Sequence, residues 1–177
     1  MTPLTTRRTF LAFAFSAAVV AAEEPPVDER YLQLFNTHTR ETVKRVFKRG
    51  ADYDVAALEA FKKVARDHRN GDLHDMDPRL FDQLFDLARA AQLEPHYQII
   101  SGYRSPESND KMSARAGSGV AKKSLHMQGR AMDVRLENCS CAKLRDLALA
   151  AKQGGVGYYE KSDFVHLDTG NFRTWVG

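Results

Sequence analysis

The sequence predicts an α+β domain with a small antiparallel sheet. Its 177 residues are 43% hydrophobic and 28% charged, which is typical of one soluble globular domain. Short runs that alternate apolar and polar residues indicate half-buried strands, and longer runs with helical periodicity lie between them. Because these runs do not follow the regular strand–helix–strand order of a parallel sheet, we expect α+β rather than α/β architecture.

Residues 1–22 have the features of an export signal. The paired arginines Arg7 and Arg8 precede an apolar run, 12–22, that is too short to span a bilayer. The arginines and the Phe-Leu pair after them resemble a twin-arginine signal, which would make the twin-arginine export machinery a partner. The alternative is an uncleaved anchor helix. We therefore expect a signal peptide over 1–22, a linker over 23–30 and the folded domain over 31–177.

Charge and cysteine content place few limits on the partners of the protein. The formal net charge of +3 falls to +1 when Arg7 and Arg8 are removed with the signal. A charge this small does not require nucleic acid or an anionic membrane as partner. Cys139 and Cys141 are too few for a structural zinc site, which leaves free thiols, a strained disulfide or a redox pair. The export signal alone therefore predicts a periplasmic or cell-envelope location.

The first strands and the first helix follow from local patterns. Residues 32–36 and 42–47 are typical of two strands, joined by a turn next to His38. This histidine would lie either at the surface or in a substrate groove. Asp54 is a good N-cap for a helix over 55–68, which Asn70 and Gly71 would end.

A polar loop separates the first helix from the second. The histidines and aspartates in and beside this loop have no spacing that is distinctive for a metal, so we interpret them as solvated rather than as a second metal site. Asp77 and Pro78 then open the second helix with an N-cap and a proline in the first turn. The residues left out of a second metal site are His68, His74, Asp75 and Asp77.

The second half of the chain contains shorter elements. Pro95 starts an extended segment over 96–101, and Trp175 is expected to close the core near the last strand. In chain order we expect a polar helix from Ser105 to about Arg115, a mobile loop over 116–123, a strand over 131–136, a helix over 142–152 and a tight turn over 154–157.

One stretch brings together two side chains that can bind a metal. His126 and Asp133 lie seven positions apart, and Gly129 between them lets the chain bend so that they can face each other. The strand-like alternation over 131–136 places Asp133 on the same face as Arg135 and the apolar residues on the other face. The stretch thus offers one neutral nitrogen donor and one anionic oxygen donor.

A second run supplies a third donor. Residues 164–168 alternate as a strand does, with His166 on the polar face beside Asp168. Two imidazoles and a carboxylate suit zinc or a similar borderline metal, and three protein ligands leave a coordination position for water. His126, Asp133 and His166 are therefore the predicted metal ligands, in an arrangement that a hydrolase requires.

The pattern around these residues resembles the zinc D,D-peptidase group, which is related in fold to the Hedgehog signalling domain. The closer resemblance is to its murein endopeptidase K branch, and it extends from Leu34 to Trp175. It implies one zinc per chain, a central sheet with helices packed on one side, and the metal in a cleft on the other. The residues that carry it are Ser124-x-His126-x-x-Gly129-x-Ala131-x-Asp133, Phe164-Val165-His166 downstream and Ser101-Gly102-Tyr103-Arg104-Ser105-Pro106 upstream.

The resemblance also implies roles for other residues. In this group an acid three positions before the second histidine acts as general base, commonly a glutamate, and Asp163 stands there. An offset of three places Asp163 on the opposite face of an ideal strand from His166, so a bend or bulge is required. Asp168 is the rival base, or a partner that orients an imidazole.

Two further residues are expected to contact the substrate. Arg104 would hold the scissile carbonyl oxygen and stabilise the developing oxyanion, unless it forms a structural salt bridge. Ser124 is matched to a substrate-contacting serine, although a structural hydroxyl fits the pattern as well. No G-x-S-x-G motif supports a serine hydrolase, and neither cysteine has a base next to it.

These observations predict a zinc metallopeptidase of the bacterial envelope. The resemblance implies that its substrates are peptidoglycan stem peptides and that it hydrolyses the cross-links between them. One alternative is a D-Ala-D-Ala carboxypeptidase of the same group. The other is a non-catalytic domain that contains zinc and binds the cell wall.

Overall fold

A computed structural model describes residues 28–115, 117 and 119–177. The predicted signal over 1–22, the linker up to residue 27, and positions 116 and 118 of the predicted loop lie outside the described residues. Within the described ranges, no helix is both long enough and apolar enough to cross a membrane.

Eight strands form one mixed sheet. The α+β class is confirmed, but the prediction of a small antiparallel sheet is wrong, because β1 pairs with β4 and β6 pairs with β8 in parallel. Patterns in the sequence predict hairpins, whereas these parallel pairs join strands that are distant along the chain. The strands are β1 Glu29–Asn36, β2 Thr42–Arg49, β3 Asp52–Tyr53, β4 His96–Ser101, β5 Ala131–Leu136, β6 Gly155–Tyr159, β7 Phe164–Asp168 and β8 Arg173–Val176, in the order β3-β2-β1-β4-β5-β7-β6-β8.

The helices begin where the caps predict. The Asp54 carboxylate accepts a hydrogen bond from the backbone of Ala57, and the Asp77 carboxylate accepts one from Arg79. The first helix ends before the predicted residue 68, because Asp67 begins a turn that Gly71 closes by donating to the Asp67 carbonyl at 2.8 Å. The helices are α1 Val55–Val64, α2 Pro78–Ala91, α3 Pro106–Ser113 and α4 Cys141–Ala151, with a 3₁₀ helix at Leu125–Gln128.

The core lies between one face of the sheet and helices α1, α2 and α4. Phe47 of β2, Phe61 of α1 and Phe81 of α2 are fully buried, and the rings of Phe61 and Phe81 lie 4.8 Å apart. Side chains of this size each contribute about 1.5–3 kcal/mol when buried. Met132 and Val134 of β5 face this core, so Asp133 between them points to the opposite face of the sheet. The layers therefore leave that face available for a site.

Two predictions near the C-terminus are wrong. The expected tight turn over 154–157 is largely strand β6, where the glycines permit close packing: a Cβ atom on Gly157 would lie 2.5 Å from the Trp175 ring. Trp175 does not close the core but lies half-buried on the other face, with its ring 5.0 Å from that of His166.

Cys139 and Cys141 are both free thiols.

Candidate metal centre

His126, Asp133 and His166 converge at the centre of the sheet. Asp133 and His166 are direct partners across strands β5 and β7, so the register of the sheet places them side by side. His126 comes from the 3₁₀ helix, which Ser124 caps and which Gly129, at a φ of 63°, terminates. The bend that the sequence predicts at Gly129 is confirmed, and it turns His126 towards the two strands.

The distances between the three donor atoms fit one divalent cation. His126 Nε2 lies 3.2 Å from His166 Nδ1 and 3.3 Å from Asp133 Oδ1, and His166 Nδ1 lies 2.9 Å from Asp133 Oδ1. Tetrahedral ligands at about 2.0–2.2 Å from zinc are about 3.3–3.6 Å apart. The donors therefore need to move apart by only a few tenths of an ångström, and the donor set of two nitrogens and one oxygen suits such a metal.

Each histidine is held from behind by a hydrogen bond. The Nδ1 atom of His126 contacts the carbonyl oxygen of Gly102 at 2.7 Å, so its Nε2 faces the cluster. The Nε2 atom of His166 contacts Asp168 Oδ2 at 3.1 Å, so its Nδ1 faces the cluster. Contacts of this kind set the tautomer and orientation of a ligand imidazole. The atoms that face the cluster are thus Nε2 of His126 and Nδ1 of His166.

Asp168 is built into the sheet rather than exposed to the cleft. Its side chain is 0% exposed and accepts hydrogen bonds from the backbone N–H groups of Gly155 at 3.0 Å and Gly170 at 2.8 Å. The guanidinium of Arg173 also donates to it at 2.6 Å. Burial raises the pKa of Asp168, but these hydrogen bonds and the one with His166 outweigh burial and lower it. Of the two roles considered for Asp168, its contacts are those of an orienting partner.

The surroundings lower the pKa values of His126 and Asp133 and raise that of His166. Burial lowers the pKa of His126, which keeps this ring neutral. Burial also disfavours the charged form of Asp133, but its contacts with His126 and His166 hold the pKa of Asp133 well below its ordinary value. For His166, hydrogen bonds to Asp133 and Asp168 outweigh burial and raise the pKa to about 9. A cation would therefore displace the proton from His166.

A cleft of 540 Å³ opens over the cluster, and both predicted substrate contacts line it. Arg104 is only 6% exposed; its Nη1 lies 3.4 Å from Asn109 Oδ1, and its Nε has no hydrogen-bond partner among the described residues. Burial lowers the pKa of this guanidinium, while the nearby Asp133 raises it. Ser124 also lines the cleft, and its hydroxyl accepts from the backbone of His126 at 3.3 Å.

The structure does not bring Asp163 to the cluster. The required bend is present, since Asp163 has a positive φ of 51°, but the side chain does not line the cleft. Its carboxylate lies 3.4 Å from Arg135 Nε and is 70% exposed. It also accepts a hydrogen bond from the Cys141 thiol. Burial is the main cause that raises the pKa of this thiol to about 12, and the hydrogen bond to Asp163 is the second. The bend alone therefore does not turn the carboxylate into the cleft.

Several residues of the cleft were not assigned a role from the sequence. His38 is exposed but also lines the cleft, where its ring stacks on that of His68 with centroids 3.7 Å apart. Tyr159 and Trp175 form the wall beside His166, where the Trp175 indole N–H donates to the Tyr159 hydroxyl at 3.0 Å. Arg69 lines the far end. Only their positions on the three-dimensional fold bring these residues together.

The other acidic and histidine side chains considered for metal binding have separate contacts. His74 stacks on Tyr103 at 4.8 Å, Asp75 pairs with Lys62 at 2.7 Å, and Asp77 caps α2. Within the described part of the chain, the three residues with ligand atoms within 4.8 Å of one another are His126, Asp133 and His166.

Comparisons with known proteins agree with this arrangement. The family model described as "Peptidoglycan L,D-endopeptidase MepK" matches residues 24–175. The curated protein of that name from Escherichia coli is 43% identical over 146 residues, which is 82% of this chain and 80% of the relative. A protein from Haemophilus influenzae described as "Probable peptidoglycan L,D-endopeptidase MepK" is 35% identical over 161 residues, covering 90% of this chain and 84% of the relative.

The match covers both metal-ligand motifs and nearly all of the described residues. The resemblance to the murein endopeptidase K branch is thereby confirmed. No solved structure gives a significant match to the chain. The chain belongs to the MepK family of peptidoglycan L,D-endopeptidases.

Proposed function

We propose that this protein is a zinc-dependent peptidoglycan endopeptidase that hydrolyses peptide cross-links between stem peptides. The observation that carries the proposal is the cluster of His126, Asp133 and His166 at the base of an open cleft. In both histidines, the ring nitrogen that faces away from the cluster makes a hydrogen bond that orients the ring. The names of the relatives support the same activity and specify an L,D bond. Three ligands leave a position for water, as catalytic rather than structural zinc sites do.

The protein residues would hold the metal and orient the peptide. His126 Nε2, Asp133 Oδ1 and His166 Nδ1 would hold one zinc ion, which when bound supplies Lewis acidity and a more acidic water. The Arg104 guanidinium, buried in the cleft wall, would bind the scissile carbonyl oxygen. Ser124 would contact the peptide backbone at the cleft edge. Trp175 and Tyr159 give the cleft an aromatic wall on the side of His166.

The base role predicted for Asp163 stays a prediction. To accept a proton in the cleft, its carboxylate must leave Arg135 and turn towards His166. Among the described residues that line the cleft, the one carboxylate is that of Asp133. This observation favours a second candidate function, a non-catalytic zinc domain that binds the cell wall.

We also propose that the protein acts in the periplasm after export by the twin-arginine pathway. Peptidoglycan as substrate requires a location in the cell envelope, and the arginine pair at Arg7 and Arg8 supports this route. Because this pathway carries folded proteins, the metal would be loaded before export.

Digestion of purified peptidoglycan by the zinc-loaded protein tests the activity. We expect cross-linked dimers to disappear, monomers to increase by a matching amount, and His126→Ala to abolish both changes. His96→Ala is the matched control, since His96 lies at the start of β4 and does not line the cleft. Release of terminal D-alanine alone would identify a carboxypeptidase. Intact sacculi with one zinc per chain would favour the binding domain.

A further inference from the structure

Arg69 lies where two cavities meet. It lines the far end of the metal cleft and also a neighbouring cavity of 190 Å³. Met112 borders both cavities as well, so they are adjacent. The side chain of Arg69 is 33% exposed, which leaves its guanidinium accessible from the cleft. Arg69 is therefore accessible both to a peptide in the metal cleft and to one that extends into the neighbouring cavity.

Arg69 and Arg104 place two positive charges close together at this end of the cleft. The positive charge of Arg69 lowers the pKa of Arg104, in addition to the larger effect of burial. The buried Nε atom of Arg104 has no hydrogen-bond partner in the part of the chain that the structure describes. Two guanidinium groups that line the same cleft are suited to a carboxylate, which accepts such donors in pairs.

A single buried carboxylate connects Arg69 with the residue that follows Arg104. Asp67 Oδ1 accepts from the backbone N–H of Arg69 at 3.1 Å and from its guanidinium at 3.4 Å. Asp67 Oδ2 accepts from the backbone N–H and the hydroxyl of Ser105, the residue after Arg104, both at 2.9 Å. Asp67 is fully buried and directs its oxygens to these groups rather than to the cleft. The Arg69 guanidinium and the backbone next to Arg104 are therefore positioned before a ligand arrives, which lowers the entropic cost of binding.

We propose that Arg69 and Arg104 form a subsite for a free carboxylate of the stem peptide, with Arg69 as the residue that determines this specificity. The inference rests on the proposed endopeptidase function and names the chemical group that the substrate must carry. Arg104 retains its role at the scissile carbonyl through its other donors. The neighbouring cavity, with Arg115 on its wall, receives the chain beyond the carboxylate.

The test compares one soluble cross-linked muropeptide in two forms, with free carboxylates and with the same groups converted to primary amides. For the unaltered protein we expect KM to be about tenfold higher for the amide, as for the loss of one charge-assisted hydrogen bond, with kcat nearly unchanged. Arg69→Gln should raise the KM for the carboxylate form of the substrate to the value for the amide form. The KM for the amide form should stay unchanged. Arg69→Lys should restore part of the difference.

The control is Arg66→Gln, because Arg66 pairs with Glu41 and does not line either cavity. An equal loss on both substrates in Arg69→Gln, or no loss on either, would overturn the inference. The comparison on the unaltered protein requires no variant, so equal KM values there would also overturn it. Cleavage of neither substrate by the zinc-loaded protein would instead overturn the proposed function, and the subsite with it.

Discussion

The imidazole of His166 bridges two carboxylates, with Nδ1 at 2.9 Å from Asp133 and Nε2 at 3.1 Å from Asp168. Asp133 belongs to the metal cluster, whereas Asp168 is held by two backbone N–H groups and by Arg173. The rigid partner therefore determines which nitrogen of His166 is available to a metal. This relationship leads to predictions about metal affinity and its dependence on pH.

Asp168→Asn should weaken zinc binding by about 10- to 100-fold, because a neutral amide orients and polarises the imidazole less effectively than a carboxylate. Competition with a chromogenic chelator measures the affinity, and circular dichroism shows whether the variant is folded. Asp146→Asn is the control, since Asp146 is exposed and pairs with the neighbouring Arg145. Unchanged affinity in folded Asp168→Asn would contradict the orienting role.

Zinc affinity should increase with pH up to about 9. In the metal-free protein the raised pKa of His166, about 9, keeps this ring protonated at neutral pH, so binding must displace one proton. The affinity should therefore rise about tenfold for each pH unit below that pKa. Calorimetry near pH 6 in buffers of different ionisation enthalpy measures the proton released. Binding without proton release would show that His166 is neutral before the metal arrives.

Asp67 should stabilise the fold at pH values above 3.8, which is its pKa in the unfolded chain. This stabilisation should be lost as the pH falls towards 2. Burial raises its pKa, but hydrogen bonds from Ser108, Ser105 and Arg69 outweigh burial and lower it to about 2. Since the folded state favours the ionised form, Asp67→Asn should lower the free energy of unfolding by about 1–3 kcal/mol near neutral pH.

The difference in the free energy of unfolding between Asp67→Asn and the unaltered protein should shrink as the pH falls from 3.8 to about 2, because in this range the carboxylate becomes protonated on unfolding. Urea denaturation at several pH values measures it. Asp110→Asn, at an exposed position on α3, should show no such effect. A difference that stays constant down to low pH would mean that the charge of Asp67 contributes nothing.

The position of Asp163 predicts a small effect on turnover. Because its carboxylate pairs with Arg135 and does not line the cleft, Asp163→Asn should lower kcat by less than about tenfold, far less than the loss of a general base. Single-turnover digestion of cross-linked dimers measures the rate. A loss of about 100-fold or more, with zinc still bound, would show that the carboxylate swings into the cleft and acts as the base predicted from the sequence.

The sequence predicts the metal cluster better than the surroundings of the cluster. Asp133 and His166 lie on short strands whose alternation is local, and Gly129 allows the bend after His126, so the sequence pattern predicts which way these side chains face. Trp175 and Gly157 could not be assigned in this way. Their roles depend on the parallel pairing of β8 with β6, which joins strands by packing rather than by a turn.

The difference between local patterns and long-range contacts also explains why the sequence does not predict that Arg69 and Arg104 line the same cleft. Asp67 and Arg69 lie in a turn after α1, and nothing in the local pattern connects them with Arg104, a residue that follows β4. The connection is the hydrogen bond from Ser105 to Asp67, 38 residues apart in the sequence. Contacts of this range are set by the assembled fold, so local periodicity does not reveal them.

The identity of the metal and of its ligands is tested most directly by diffraction at the zinc absorption edge from crystals of the zinc-loaded protein. We expect a single anomalous peak, from one zinc ion bound by His126 Nε2, His166 Nδ1 and Asp133 Oδ1, with a fourth position open to the cleft. A peak at other residues, such as Cys139 and Cys141, or no peak at the cluster in the presence of zinc, would contradict it.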